Sequence, residues 1–202
     1  MAAVGQSLMY QHKYNEATPF VQCALEIQEQ VYNKMHPQVA IALNQAGVLE
    51  LRLKHMDAAL ADFMRMADIN RAAYGDQHYL VDVALINVGE VYFEENRFPE
   101  AEHYFRETLN RFAAQLPADH PNTAIAQSKL GKTLVLEKKY RDAEPYLVAA
   151  YATFSKVKPS QADRLEGTRK DLITVYEALD ERAKESPYRT DAARTVTSDR
   201  KS

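Results

Sequence analysis

The sequence contains few of the residues that form turns and cross-links. Its 202 residues include six glycines, eight prolines and one cysteine, and tryptophan is absent. So few turn formers, without strand-like alternation between them, argue against a many-stranded β protein. A single cysteine, Cys23, cannot form a disulfide within the chain, and this favours a reduced, cytoplasmic compartment.

An excess of one charge and long apolar runs are also lacking. The 25 Lys and Arg residues nearly balance the 28 Asp and Glu residues, which leaves a net charge of -3. Nucleic-acid binders present a basic face to phosphates, so we expect no nucleic-acid partner. No run approaches the roughly 20 apolar residues that span a bilayer. Residues 1–9 also lack the basic and apolar regions of a signal peptide, so we expect no membrane association.

The most informative feature is a repeat of 42 residues. Four sets of positions keep this spacing: one of histidine, one of glycine, one of alanine and one of large hydrophobic residues. They are His36, His78 and His120; Gly5, Gly47, Gly89 and Gly131; Ala17, Ala59, Ala101 and Ala143; and Tyr14, Met56, Phe98 and Tyr140. Four sets in one register are very improbable by chance, so the chain is predicted to consist of repeated supersecondary units.

Each repeat has the pattern of two amphipathic helices. In the third repeat, apolar residues recur every three or four positions from Val81 to Tyr92 and again, after a break, from Ala101 to Leu116. Pro37 and Pro121 suit the first position of a helix. The pattern predicts helices at about 2–12, 15–33, 37–53, 57–74, 79–95, 99–116, 121–138 and 141–157.

The pattern changes near residue 157. Pro159 and Ser160, with Asp163 three residues on, indicate a helix start. The apolar stripe that follows predicts one capping helix without a partner, at 161–180. Residues 181–202 show no apolar period and are predicted to form a disordered tail. The predicted repeat domain therefore covers residues 1–180, with repeats at about 1–35, 36–77, 78–119 and 120–160.

These features resemble the tetratricopeptide repeat, whose usual unit of about 34 residues has Gly in its first helix and Ala in its second. The distance of twelve residues from Gly47 to Ala59 is typical of that family and recurs in the other repeats. The longer period, with residues 36–40 and 143–147, is similar to the kinesin-light-chain-like variety. HEAT repeats also span about 40–47 residues, but the Gly-to-Ala spacing and Pro145 favour the tetratricopeptide interpretation.

The resemblance implies an all-α fold, a right-handed α-α superhelix of about four helix pairs plus a C-terminal capping helix. It implies a non-enzymatic scaffold that binds a peptide segment or partner protein in the concave groove, lined by the first helix of each pair. In this register the candidate groove residues are Asn44, Gln45, Arg52, Asn87, Glu90, Ser128, Lys129 and Lys132, with Val48 and Glu94 beside them.

Three groups of residues could suggest chemistry. The repeated histidines are each about one repeat apart, whereas zinc ligands share a centre at about 2 Å, so we interpret them as residues that fix the turn before a helix. Cys23 lies beside Ala24 on a predicted packing face and is interpreted as an inert, buried thiol. The acidic pairs at 94–95 and 100–102 are interpreted as solvated acids near helix ends. We therefore expect no catalytic residue, no metal and no cofactor.

A second hypothesis remains open. The segment would then be a regulatory or oligomerising repeat region of a larger multidomain enzyme, such as a bacterial signalling protein. The face of the first helix at Val4 and Leu8 would pair with a second copy and form a homodimer through the N-terminal helix. Because Gly5 is already in register close to Met1, the chain is also compatible with a piece of a longer array.

Overall fold

The computed structural model describes residues 1–156 and 161–189, and all regular structure within those ranges is α-helical. The helices are α1 Ala2–Tyr10, α2 Tyr14–Val31, α3 Pro37–Arg52, α4 Met56–Tyr74, α5 Tyr79–Glu94, α6 Phe98–Gln115, α7 Pro121–Leu136, α8 Tyr140–Lys156, α9 Ala162–Ala178 and α10 182–189. The all-α repeat fold predicted from the sequence is confirmed. The eight predicted helices agree with α1 to α8 within two residues at each end.

The chain forms two compact units. The first, Met1–Gln115, contains three helix pairs, and the second begins at Leu116 and contains α7 to α10. Within the first unit each helix packs against the next one along the chain, so α2 and α4 each contact two first helices. One core cluster of the first unit joins α3, α4 and α5 through Leu43, Ile69 and Ala84. In the second unit α9 packs on both α7 and α8.

The glycine and alanine positions allow the two helices of a pair to approach closely. A Cβ on Gly47 would lie 2.6 Å from Cε1 of Phe63, and a Cβ on Gly131 would lie 2.5 Å from Cγ of Leu147. We call this contact the seam of a pair. The alanines of the same set are fully buried in all four repeats: Ala17, Ala59, Ala101 and Ala143. Small residues on both helices, and a large apolar residue that fills the remaining space, therefore define each seam.

The turn inside each pair has one conformation throughout the described chain. Five residues spaced by 42 have φ between 55° and 65°: His12, Lys54, Asn96, Lys138 and Asp180. In each turn the next residue donates its N–H to the carbonyl five positions earlier, as Lys139 does to Leu134 at 2.8 Å. This hydrogen bond and the left-handed residue before it are the features of a Schellman helix end.

The repeated histidines begin the first helix of three pairs. Nδ1 of His36 accepts a hydrogen bond from the N–H of Gln38 at 3.2 Å, and Nδ1 of His78 accepts one from Leu80 at 3.3 Å. His120 makes the same bond to Asn122 at 3.1 Å. Each histidine thus satisfies one of the N–H groups that a helix start leaves without a partner. Their predicted role in the turn before a helix is confirmed.

The C-terminal end of the described chain differs from the sequence prediction. The helix α9 ends at Ala178, and α10 follows after the left-handed residue Asp180, so the capping helix has a partner. The rings of Tyr176 and Tyr188 stack at 5.7 Å and repeat the stack of Tyr92 on Tyr104, 84 residues earlier, at 5.5 Å. The expectation of a disordered tail therefore does not hold for residues 182–189.

Only some of the residues that predicted the start of the capping helix lie within the described ranges. Pro159 and Ser160, like residues 190–202, lie outside the described residues. In the structure α9 begins at Ala162, and the residue before it, Gln161, makes no side-chain hydrogen bond to the helix start.

Candidate functional site

The helix α3 presents one stripe of side chains that are not fully buried, although Val48 within it packs against the core. Its buried residues include Val39, Leu43 and Leu49, whereas Gln45 and Val48 are only half-buried and Arg52 is exposed. Ile41 begins the stripe and is 56% exposed, although it is a large apolar residue. The spacing of four, three and four residues from Ile41 to Arg52 keeps these side chains on one face of the helix.

The next first helix, α5, carries an equivalent stripe that is joined to α3. Asn87 and Glu90 are half-buried there. Asn87 Nδ2 donates a hydrogen bond to Asn44 Oδ1 at 2.7 Å, and Lys54 Nζ donates one to Glu94 Oε2 at 2.6 Å. The two helices therefore present a shared surface whose centre is an amide pair and whose edge is an ion pair. We call this the α3–α5 surface.

Three of the predicted groove residues lie in the second unit, on α7. Lys132 is exposed, and Ser128 and Lys129 are half-buried. The hydroxyls of Ser128 and Thr168 lie 2.9 Å apart and link α7 to α9. Burial raises the pKa of Asp171 on α9 to about 6, although the charge of Lys132 acts in the opposite direction. The eight predicted residues thus divide into five on the α3–α5 surface and three on α7.

Sequence reasoning named Val48 but missed Ile41, the exposed apolar residue at the start of the stripe on α3. Ile41 lies four residues before Gln45 on the same stripe, whereas its equivalent on α5, Val83, packs against the core. Extension of the polar stripe on α3 by one turn toward its N-terminal end would have found Ile41.

Several side chains could suggest a metal or catalytic site, and the structure shows what surrounds them. Within the described residues, no three His, Cys, Asp or Glu side chains are grouped so that they could hold a metal ion. Cys23 is half-buried, so the expectation of a buried thiol is only partly met. Arg97 Nη2 lies 2.8 Å from Glu100, and Arg106 Nε lies 2.6 Å from Glu102. None of the helices in the described ranges has the length and apolar character required to cross a membrane.

A family model for the tetratricopeptide repeat matches residues 1–67 and 46–114, which is more than half of the chain. A search of curated proteins gave no match.

Solved structures that share the fold include the following three. BtubC (BKLC) from P. vanneervenii is 19% identical over 100% of this chain and 80% of its own, with a TM-score of 0.79. A putative kinesin light chain from Podosopora anserina with nearly identical TPR-like repeats is 14% identical over 99% of this chain and 95% of its own, with a TM-score of 0.71. The apo form of RapI is 16% identical over 97% of this chain and 67% of its own, with a TM-score of 0.72. The chain therefore belongs to the tetratricopeptide repeat family and is a helical repeat scaffold for protein interaction, and its fold is similar to that of the putative kinesin light chain.

Proposed function

We propose that the α3–α5 surface binds an extended peptide segment of a partner protein and that this function uses no catalytic group. The observation that carries the proposal is the hydrogen bond between Asn87 and Asn44, at 2.7 Å, between two side chains that are only half-buried. On the same helix as Asn44, Ile41 and Arg52 are both exposed, and they offer an apolar side chain and a cation. The surface thus combines polar groups for a peptide backbone with an apolar contact for one side chain.

The hydrogen-bonding capacity of the amide pair supports this proposal. Asn87 uses one of its two side-chain N–H groups on the Oδ1 atom of Asn44. A side-chain amide has two donors and one acceptor oxygen. The Nδ2 atom of Asn44 can therefore donate to a peptide carbonyl, and the Oδ1 atom of Asn87 can accept from a peptide N–H. Because the pair is already held in place, binding needs little reorganisation of these side chains.

Selection of peptides from a displayed library of unstructured sequences tests the proposal. The selected peptide is then titrated calorimetrically into the protein, into an Asn44→Ala, Asn87→Ala variant and into an Ile41→Asp variant. We expect each variant to bind at least about tenfold more weakly, which corresponds to about 1.4 kcal/mol.

Met64→Asp is the matched control, since Met64 is 42% exposed on the second helix α4. Equal affinity for all variants would show that the α3–α5 surface is not the binding site.

A second candidate function is self-association through the N-terminal helix, as expected of a regulatory or oligomerising region of a larger protein. Met1 is 64% exposed and Val4 is 46% exposed, whereas their equivalents on α3, Leu43 and Ala46, are 0% and 7% exposed. Leu8, which the sequence placed on the same face, instead packs on the cluster of the first pair. The favoured contact is therefore centred on Met1 and Val4.

Light scattering over a range of protein concentrations distinguishes this candidate. Self-association predicts a dimer that Val4→Glu dissociates. The control is Val148→Glu, because Val148 is 38% exposed on α8. A strict monomer at the highest concentration would exclude the N-terminal helix as a dimer contact.

A further inference from the structure

The last helix pair, α9 and α10, lacks the seam that closes the other pairs. In the 42-residue register, Ile173 stands where the other first helices have glycine. Glu185 stands where the second helices have alanine. Arg189 stands where they have a large apolar residue, which is Val21, Phe63, Phe105 or Leu147.

The exposure of these side chains shows the effect of having different residue types at the seam positions of the last pair. Phe105 and Leu147 are 0% exposed in their seams. The side chain of Arg189 is 55% exposed, and that of Glu185 is 8% exposed and pairs with Arg189. A carboxylate in a buried position opposes close packing unless it is well paired. The seam of the last pair is therefore not closed by apolar contact.

Charged contacts hold α10 in place instead. Lys184 Nζ lies 2.9 Å from a Glu144 oxygen on α8, and Arg189 pairs with Glu177 on α9. Arg141 of α8 also lies 3.2 Å from Glu181, the residue before α10. The cations of these pairs are exposed, with Lys184 at 52% and Arg141 at 71%, whereas Glu144 and Glu181 are 22% and 23% exposed. Exposed ion pairs of this type are weak and become weaker as salt screens them.

One aromatic contact adds to the charged ones. The ring of Tyr188 stacks on Tyr176 at 5.7 Å and meets the ring of Tyr151 edge-on at 5.1 Å. Arg169 Nη1 also donates a hydrogen bond to the carbonyl of Tyr188 at 2.9 Å. Tyr188 is thus the main anchor of α10 among the described residues that does not depend on an ion pair.

We infer that α10 is a detachable strap, which opens from α8 and α9 at raised ionic strength while the rest of the second unit stays folded. The hinge is the turn at Asp180, and the rings of Tyr151 and Tyr176 become accessible when the strap opens. The other pairs do not open in this way, because their second helices are fixed by buried apolar seams. The opening of α10 is therefore a property of the last pair and is independent of the α3–α5 surface.

Amide hydrogen exchange of the full chain, measured by NMR at low salt and at about 1 M NaCl, tests the inference. We expect the amides of α10 to exchange at least about tenfold faster at high salt, with no comparable change in α8. Tyr188→Ala should produce fast exchange in α10 already at low salt. Slow exchange in α10 at both salt concentrations, at the rate seen in α8, would overturn the inference.

Variants that rebuild the seam provide the opposite test. Glu185→Ala alone, and Glu185→Ala with Ile173→Gly and Arg189→Leu, should slow exchange in α10 and reduce its salt dependence. Lys54→Ala, which removes an exposed ion pair in the first unit, should leave α10 unchanged. If Glu185→Ala accelerates exchange in α10, the buried carboxylate holds the strap closed and the inference fails.

Discussion

At the scale of single residues, the repeat depends on contacts that leave no room for one additional carbon atom. A Cβ on Gly89 would lie 2.7 Å from Cε1 of Phe105, which is fully buried and cannot move aside. We predict that Gly89→Ala lowers the free energy of unfolding by about 2 kcal/mol, because overpacking a rigid core forces side chains from their rotamers. Urea denaturation followed by circular dichroism measures this change.

The control for that prediction is Gly167→Ala. Gly167 lies inside α9, and a Cβ there would have no heavy atom within 4 Å. Alanine should therefore stabilise this helix by about 0.5 kcal/mol or leave it unchanged, since glycine costs backbone entropy within a helix. Equal losses at Gly89 and Gly167 would mean that helix propensity, not the seam, controls the effect.

Asp62 is a carboxyl group at a position that other pairs fill with an aromatic ring. Its equivalents are Phe20, Tyr104 and Tyr146. Burial, with a smaller contribution from the charge of Glu50, raises the pKa of Asp62 from 3.8 to about 6, and Arg65 acts in the opposite direction. Because its pKa is higher in the folded state, this group favours folding below pH 3.8, and that contribution is lost as the pH rises through about 6.

We predict that Asp62→Asn stabilises the protein by about 1 kcal/mol near neutral pH, where the parent side chain is charged, and gives no gain below about pH 4. The measurement is the free energy of unfolding of both proteins in urea across this pH range. A difference that stays constant with pH would show that the titration of Asp62 is not its cause.

The 42-residue repeat predicted which residues occupy equivalent positions. It did not predict contacts between residues at positions that are not equivalent. The histidines, glycines and alanines were found because identical residues recur every 42 positions. Asn44 and Asn87 are 43 residues apart, so no comparison of equivalent positions pairs them. Their contact depends on how α5 lies beside α3, which the periodicity of a single helix does not define.

At the scale of the helices, periodicity predicted the bounds of α1 to α8 but missed α10. The first eight helices show regular apolar spacing, and the turn before each second helix needs only one left-handed residue of any polar type. Asp180 takes that position in the last pair, but Ile173 and Glu185 replace the small residues that identify a repeat. The backbone therefore continues the repeat where the sequence pattern has been lost.

The third pair contains a buried ion pair between α5 and α6. Asp82 is 0% exposed, and its carboxylate accepts hydrogen bonds from Arg111 and from Gln115. Burial raises the pKa of Asp82, and Arg111 opposes that shift. We predict that Arg111→Ala lowers the free energy of unfolding by about 3 kcal/mol, because it leaves a buried carboxylate without its cation. Thermal and urea denaturation measure the loss.

The second pair has apolar residues at the two positions that this ion pair occupies in the third pair. Ala40 and Ile69 occupy the equivalent positions there and belong to one apolar cluster. Asp82→Ala combined with Arg111→Ile should therefore recover most of the stability that the single variant loses, since a matched apolar pair often replaces a buried ion pair at little cost. A double variant as unstable as Arg111→Ala would show that the site cannot accept the packing of the second pair.

At the scale of the whole molecule, helical repeats are stabilised mainly by their neighbours. A single pair cannot bury its own apolar face, and about three pairs are needed for a stable array. The first unit, Met1–Gln115, contains three pairs and also the complete contact of Arg111 with Asp76 and Asp82. Its core clusters join successive pairs, as when Leu43 of α3 meets Ala84 of α5.

We therefore predict that a protein made of residues 1–115 folds by itself and unfolds cooperatively in urea. A shorter protein that ends at residue 74 retains only two pairs, and it loses the α5 side of the cluster around Leu43. It should show much less helix by circular dichroism and no cooperative transition. If residues 1–115 were also unfolded, the stability of the first unit would have to come from beyond Gln115, and nearest-neighbour packing within three pairs would not be sufficient for this array.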